Sequence, residues 1–261
     1  MTTPAENNEP QTLLFEYPLK EQIRGFLRLE SLFSSFERNR LTSNEDNHFH
    51  ALKLFFEILE ILERGDTRSE LTKELARLSE VFSILSQNPE VDLKKLDNFL
   101  KQINQLHKWV LSYEGKFGEK LRKEPFIESV KHRTSIPGGA CSFDSPDLYL
   151  FLNKTSTERQ NQLACWLDNI KGVKTSIEVI LRIIREAGHW KHQNAPLGSF
   201  MIETSDNPLQ LLRVRVPKST QIFPEFSCGK HRSNIHFMIF NEDHRKVPLQ
   251  RPVDFELACC S

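Results

Sequence analysis

The spacing of apolar residues changes once along this chain, and that change limits the folds open to it. Up to about Gly188 the apolar side chains recur every three or four residues, and from His189 onward they recur every two. Successive residues turn by about 100° in a helix and alternate faces in a strand. The first pattern therefore describes helices buried along one side, and the second describes strands with one face in a core.

The helical part can be read element by element. Leu13 to Tyr17 forms a short strand, and Pro18 stands where a helix often starts. Ile23, Phe26, Leu27, Leu29, Leu32, Phe33 and Phe36 then make a broad stripe opposite Lys20, Glu21, Arg24 and Arg28. From an Asp46 cap to Gly65, apolar residues between Phe49 and Leu62 surround most of a helix. Such a helix belongs in a core or an interface. Thr67 and Glu70 are spaced as a capping box, followed by Leu71, Leu75, Leu78, Phe82 and Leu85. After an Asp92 cap, Leu93, Leu96, Leu100, Ile103, His107 and Val110 repeat the three-four spacing. These two seams predict an antiparallel helical hairpin with His107 packed and hydrogen-bonded within it. A short helix around Pro125 to His132 precedes the chain reversal Ile136-Pro137-Gly138-Gly139. Leu148, Leu150 and Leu152 alternate with Tyr149 and Phe151, which predicts a central strand. A capping box at Thr155 and Glu158 opens one more helix, and Val173, Ile177, Ile180, Leu181 and Ile184 mark another.

Beyond Gly188, Leu212, Val214 and Val216 alternate with Arg213 and Arg215, and Ile235, Phe237 and Ile239 with His236 and Met238. Val253, Phe255, Leu257 and Cys259 close the series, with turn residues between the runs. Short strands punctuated in this way form an antiparallel sheet. The expected class is α+β, with an N-terminal mainly α-helical domain packed on a C-terminal antiparallel β-rich domain. Residues 1–145, completed by the helices at 155–188, are read as the first domain, and 146–261 as the second.

The formal charge is zero, which argues against a protein that coats nucleic acid through bulk positive charge. Trp190 and Phe240 form no obvious stacking platform among the basic strands. Lys171 to Arg251 nevertheless holds thirteen lysines and arginines against seven acidic residues, a balance of +6. An acidic partner would suit that stretch, although a solvated polar face is the commoner origin of such an excess. The first ten residues lack the apolar core of a signal peptide, no run is long enough for a membrane span, and the five cysteines have no paired CxxC spacing. Reduced thiols in a cytoplasmic protein fit these features.

Few residues carry chemistry. Cys141, beside Ser142 on the glycine turn, is the one candidate nucleophile, and a cysteine-dependent hydrolase is the alternative to a binding protein. No GxSxG elbow accompanies it. Cys259-Cys260 and His189-Trp190-Lys191-His192 lack the spacing and companions of a metal site, and Gly229-Lys230 lacks a phosphate-loop context. No metal, cofactor or catalytic set is expected. Arg213 and Arg215 share one sheet face, and with the neighbouring basic loops they suggest a groove that accepts anions.

Four segments also resemble a known family. Arg133-Thr134-Ser135-Ile136-Pro137-Gly138-Gly139-Ala140-Cys141-Ser142-Phe143-Asp144 is similar to its R-x-SIPGG-x-CSFD segment. Asp254-Phe255-Glu256-Leu257-Ala258-Cys259-Cys260 is similar to its DFELACC tail, and Leu14-Phe15-Glu16-Tyr17-Pro18-Leu19 and Glu63-Arg64-Gly65 through Leu75 also fit. The family is ZapD, a group of cell division proteins. The resemblance implies a non-catalytic, cytoplasmic homodimer that binds the C-terminal tail of FtsZ at midcell and bundles FtsZ protofilaments. It implies basic contact residues at Arg64 and Arg232, with Lys230, His231, Arg28 and Arg133 beside them. His236 stands where the family has an arginine, and Pro125 where it has a basic residue.

Overall fold

The computed structural model describes residues 11–86, 93–203, 209–229 and 232–261. The chain is α+β, with helices first and antiparallel sheets last. It divides into two compact units, Gly25–Leu181 and a second that joins Met1–Arg24 to Arg182–Ser261.

In the helical unit, α1 (Glu21–Arg40, from Gly25) contributes Phe26, Leu29, Phe33 and Phe36 to the core. Helix α2 (Glu45–Arg64) is capped by the Asn44 side chain, which accepts from Asp46 N–H at 2.8 Å. Asn44 holds the extended backbone that a cap residue needs, whereas Asp46 is already helical. Nine α2 residues, Leu52, Phe55 and Leu59 among them, are buried, so its apolar circumference is covered by its own chain. Helices α3 (Thr67–Leu85) and α4 (Leu93–Ser112) run antiparallel. Arg68 Nη2 donates to Leu111 O, Ser79 Oγ to Asn104 Oδ1, and Phe82 stacks on Phe99. Thr67 does not cap α3: it is buried inside the first turn, and Asp66 holds the cap position without a side-chain bond. The expected Asp92 cap lies outside the described residues. His107 packs in the hairpin, but its buried Nε2 has no hydrogen-bond partner among the described residues.

Helices α5 (Glu119–Arg122) and α6 (Pro125–Thr134) follow, and Pro125 starts α6, where a missing N–H costs nothing. The expected strand at Leu148–Leu152 is instead α7 (Pro146–Leu152). Leu148 and Phe151, three apart, are buried, while Tyr149 and Leu150 are 58% and 68% exposed. Every residue of the run is apolar, so its period cannot be read, and Pro146 together with the Asp147 carboxylate decides in favour of a helix. That carboxylate accepts from Leu148 N–H and Ser145 Oγ–H. Burial acts to raise the Asp147 pKa, but these hydrogen bonds outweigh it and hold the carboxyl below its ordinary range.

Helix α8 (Ser156–Asp168) opens with the predicted Thr155–Glu158 capping box, and α9 (Lys171–Glu186) buries the predicted Val173, Ile177, Ile180, Leu181 and Ile184. Trp166 on α8 gathers Phe55, Phe126 and Phe151 around its ring, with centroids 5.5–6.2 Å away. Arg159, also on α8, is buried and engages four partners. Its Nε donates to His48 Nδ1 at 2.7 Å, and its terminal nitrogens donate to the carbonyls of Leu152, Lys154 and Ser43. A guanidinium cannot accept, so the His48 proton must sit on Nε2, which donates to Thr42 O and Arg40 O.

The second unit is a β-sandwich. One sheet has the order β1-β4-β8-β2: β1 (Thr12–Pro18), β4 (Leu211–Pro217), β8 (Val253–Cys260) and β2 (His189–Ala195). The other places β6 (Arg232–Phe240) between β3 (Ser199–Glu203) and β5 (Phe223–Cys228), with β7 (Lys246–Pro248) also paired to β6. The predicted alternation holds in register. Leu212, Val214 and Val216 lie beside Phe255 and Leu257, and Phe237 of the facing sheet meets Phe255 at 4.8 Å. Pro18 ends β1 and does not start a helix, because Pro18 pairs with Leu211.

Candidate partner-binding surfaces

Arg64 is the last residue of α2. The helix stops there because Gly65 turns its N–H back to Ile61 O, leaving the Arg64 side chain 79% exposed. One ion pair holds it, to Glu60 at 2.7 Å, across one turn of an exposed helix face. Such a pair is too weak to keep the guanidinium from another anion. Arg68, around the corner, is committed elsewhere through its bonds to Leu111 O and Gly115 O at the end of α4.

Beside that corner lies a cleft of about 740 Å³ with a mixed lining, the carboxylates of Glu63, Glu119 and Glu128 among Lys116, Arg122, Lys123, Lys131 and His132. Arg122 faces Glu63 at 3.7 Å and Lys123 pairs with Glu119 at 2.8 Å. Lys131 and His132 pair with no described residue. Arg133 stands next to them in the last turn of α6, exposed. Gly138 and Gly139 shape the turn that follows. Gly138 adopts φ +77°, and a Cβ on Gly139 would come within 2.2 Å of Arg133 O. Cys141 on this turn is exposed, and no described side chain hydrogen-bonds its Sγ. Arg28 is exposed on α1.

In the sandwich unit Arg232 opens β6, exposed, and its carbonyl accepts Gly229 N–H at 2.8 Å. Lys230 and His231 lie outside the described residues. His236 is exposed on β6 and contacts Ser199 Oγ at 3.2 Å.

Arg213 and Arg215 do share a sheet face, yet they do not leave an open anion groove. Glu16 of β1 receives Arg213 Nε at 2.9 Å and two bonds from Arg185, at 2.9 and 2.6 Å. Trp190 of β2 lies under both strand arginines, with Arg215 3.9 Å and Arg213 5.1 Å from its ring centroid. Glu256 faces Arg215 at 3.5 Å and His192 at 3.7 Å. Three guanidiniums thus meet two carboxylates, and the Trp190 ring already carries a cation. On the same face, two residues along β8 from Ala258, burial pushes the Cys260 thiol up to about 11, so at neutral pH it is a protonated buried side chain. Among the described residues no cluster of His, Cys, Asp or Glu is placed to hold a metal ion, and no helix is long and apolar enough to cross a membrane.

Comparison with known proteins covers most of the chain. A family profile described as "ZapD: Cell division protein" matches residues 27–236. The chain belongs to the ZapD family. The cell division protein ZapD of Azoarcus sp. strain BH72 is 34% identical over 247 residues, 95% of this chain and 98% of that protein. Those of Pectobacterium atrosepticum and Nitrosomonas europaea are 34% and 33% identical over 249 residues, again 95% of this chain and 98% and 95% of theirs. The family description is of a cell division protein, not of an enzyme.

For a ZapD-family chain, the structure adds residues that sequence reasoning passed over. Lys116, Lys123, Lys131 and His132 come together only because α5 and α6 fold back beside the end of α2. Their signal in the sequence was no more than a scatter of cations between Gly115 and Arg133.

Proposed function

We propose that this chain is a non-catalytic division factor that binds the C-terminal tail of FtsZ and, as a homodimer, cross-links FtsZ protofilaments at midcell in the cytoplasm. Family membership supports a role in division. The observation that carries the finer reading is Arg64: a guanidinium 79% exposed at a helix end, beside a cleft whose lining mixes lysines with glutamates, at the segment Glu63-Arg64-Gly65 that resembles the family. In this reading Arg64 and Arg232 are the principal contacts, with Arg28, Arg133, Lys230 and His231 as supporting cations. Because α2 is covered by its own chain, the dimer contact uses other residues.

A short tail loses conformational freedom when it binds, so each site is weak, and bridging between polymers supplies strength through effective concentration. The test is co-sedimentation with FtsZ, with and without its tail. Arg64→Glu and Arg232→Glu should each weaken tail binding about tenfold or more, since a charge-assisted contact contributes roughly 1.5–3 kcal/mol. Raising salt should weaken binding in parallel. Undiminished bundling by both variants, or by FtsZ without its tail, would refute the reading. Sedimentation that finds only monomer at micromolar concentration would remove the dimer.

A further inference from the structure

Residues 135–143, part of the family resemblance, join α6 to α7 and are neither packed away nor loose. Ile136 N–H donates to Arg133 O, Gly139 N–H to Ile136 O, Cys141 N–H to Gly138 O, and the Asp144 and Ser145 N–H groups to Cys141 O, all at 2.9–3.2 Å. Turn follows turn, so the backbone is held throughout. Phe126 near the start of α6 meets Phe151 near the end of α7 at 5.3 Å, so the chain doubles back between the two helices.

Large apolar side chains stand out on this ordered piece. Ile136 is 44% exposed, Phe143 82%, Tyr149 58% and Leu150 68%. Leu148 and Phe151 supply the buried side of α7, and Tyr149 and Leu150 lie round the helix from them. At roughly 200 Å² for each side chain, the four leave on the order of 500 Å² of apolar surface in water. Apolar exposure on that scale marks an interaction site, and it is more than half of the roughly 800 Å² that one partner gives to a standard interface. Arg133 and Asp144 bracket the turn. Arg133 is exposed and Asp144 half-exposed, and neither side chain pairs with a described residue. The same short stretch therefore offers an unused cation and an unused anion beside its apolar residues.

We infer that this turn and the outer side of α7 form the contact between two copies of the chain, related by a two-fold axis. A two-fold contact sets one patch against itself, so each pair across the axis is made twice. Phe143 packs against Tyr149 and Leu150 of the second copy, and Arg133 meets its Asp144. A partner of one charge sign would satisfy only one of those two ions. Because the backbone is already fixed, little conformational entropy is lost on association. This contact presupposes the homodimer proposed above, and it takes Arg133 from the supporting tail contacts into the contact between copies.

Sedimentation velocity of the full chain at micromolar concentration reads it. The wild type should be a dimer, and Phe143→Asp and Leu150→Asp should each weaken it about tenfold or more, since each places a charge within the apolar patch. Both side chains are exposed, so folding should survive, which circular dichroism checks. Arg133→Asp should also weaken the dimer, and adding Asp144→Arg to it should restore association, because the ion pair is then only reversed. Phe143→Asp should still bind an isolated FtsZ tail peptide as the wild type does, yet fail to bundle filaments. A wild-type dimer that Phe143→Asp and Leu150→Asp leave intact would overturn this contact and leave the dimer standing. So would a double variant no better than Arg133→Asp alone, and so would loss of tail-peptide binding by Phe143→Asp, which would assign the turn to the tail site. A monomeric wild type would overturn the proposed dimer and this contact with it.

Discussion

The two units use arginine in opposite ways. In the helical unit Arg159 is buried, and its donors go to three backbone carbonyls and His48. No carboxylate is among these partners. The side chain joins the turn after α1, around Thr42 and Ser43, to the turn after α7. On the sandwich, Arg185, Arg213 and Arg215 are only partly buried and gather around Glu16, Glu256 and Trp190. A cation out of water must have every donor satisfied, so Arg159 defines one arrangement of its surroundings. Partly solvated arginines tolerate loss, because water replaces each missing partner.

That contrast can be broken by measurement. Arg159→Met should have the largest effect, about 3–4 kcal/mol lost in urea unfolding, since it strands several buried acceptors at once. Arg159→Lys should recover little of this, because an ammonium cannot reproduce the fork of donors. A loss below about 1 kcal/mol would mean that water enters the site and the distinction is false. Next comes Glu16→Gln. It removes the charge that Arg185 and Arg213 share, and should cost about 1.5–3 kcal/mol. Trp190→Leu keeps an apolar body but removes the ring face under Arg215. About 0.5–1 kcal/mol is expected from denaturation, together with a change in tryptophan emission. Smallest is Arg64→Ala, which should leave stability within about 0.5 kcal/mol, as among the described residues its ion pair is with a half-exposed Glu60. An Arg64→Ala protein that unfolds markedly more easily would make that arginine structural and weaken its claim to a binding role.

How much could be read beforehand varied with what each residue competes against. The helical stripes of α1, α3, α4 and α9 were legible because polar residues alternate with apolar ones and reveal the period. The strand expected at Leu148–Leu152 failed for the converse reason, since LYLFL has no polar residue to mark a face. The Thr155–Glu158 box formed because its Thr stands just outside the helix, while Thr67, at the same spacing from its Glu70, lies within one. Arg213 and Arg215 were correctly placed on one face, but Glu16 lies about two hundred residues away and gave no local sign that it would neutralise them.

By itself the sequence determined the class of fold, the turn from helices to strands near Gly188, the alternation of β4, β6 and β8, and, through segments spread along its length, the ZapD family. Each of these rests on periodicity or on short motifs, which are local. Tertiary structure decided the rest: that β1 pairs with β4, that α2 is covered by its own chain, that Arg159 is interior, and that Glu16 meets Arg185 and Arg213. Those outcomes depend on which distant groups meet, and burial and ion pairing are properties of that meeting and not of any one segment.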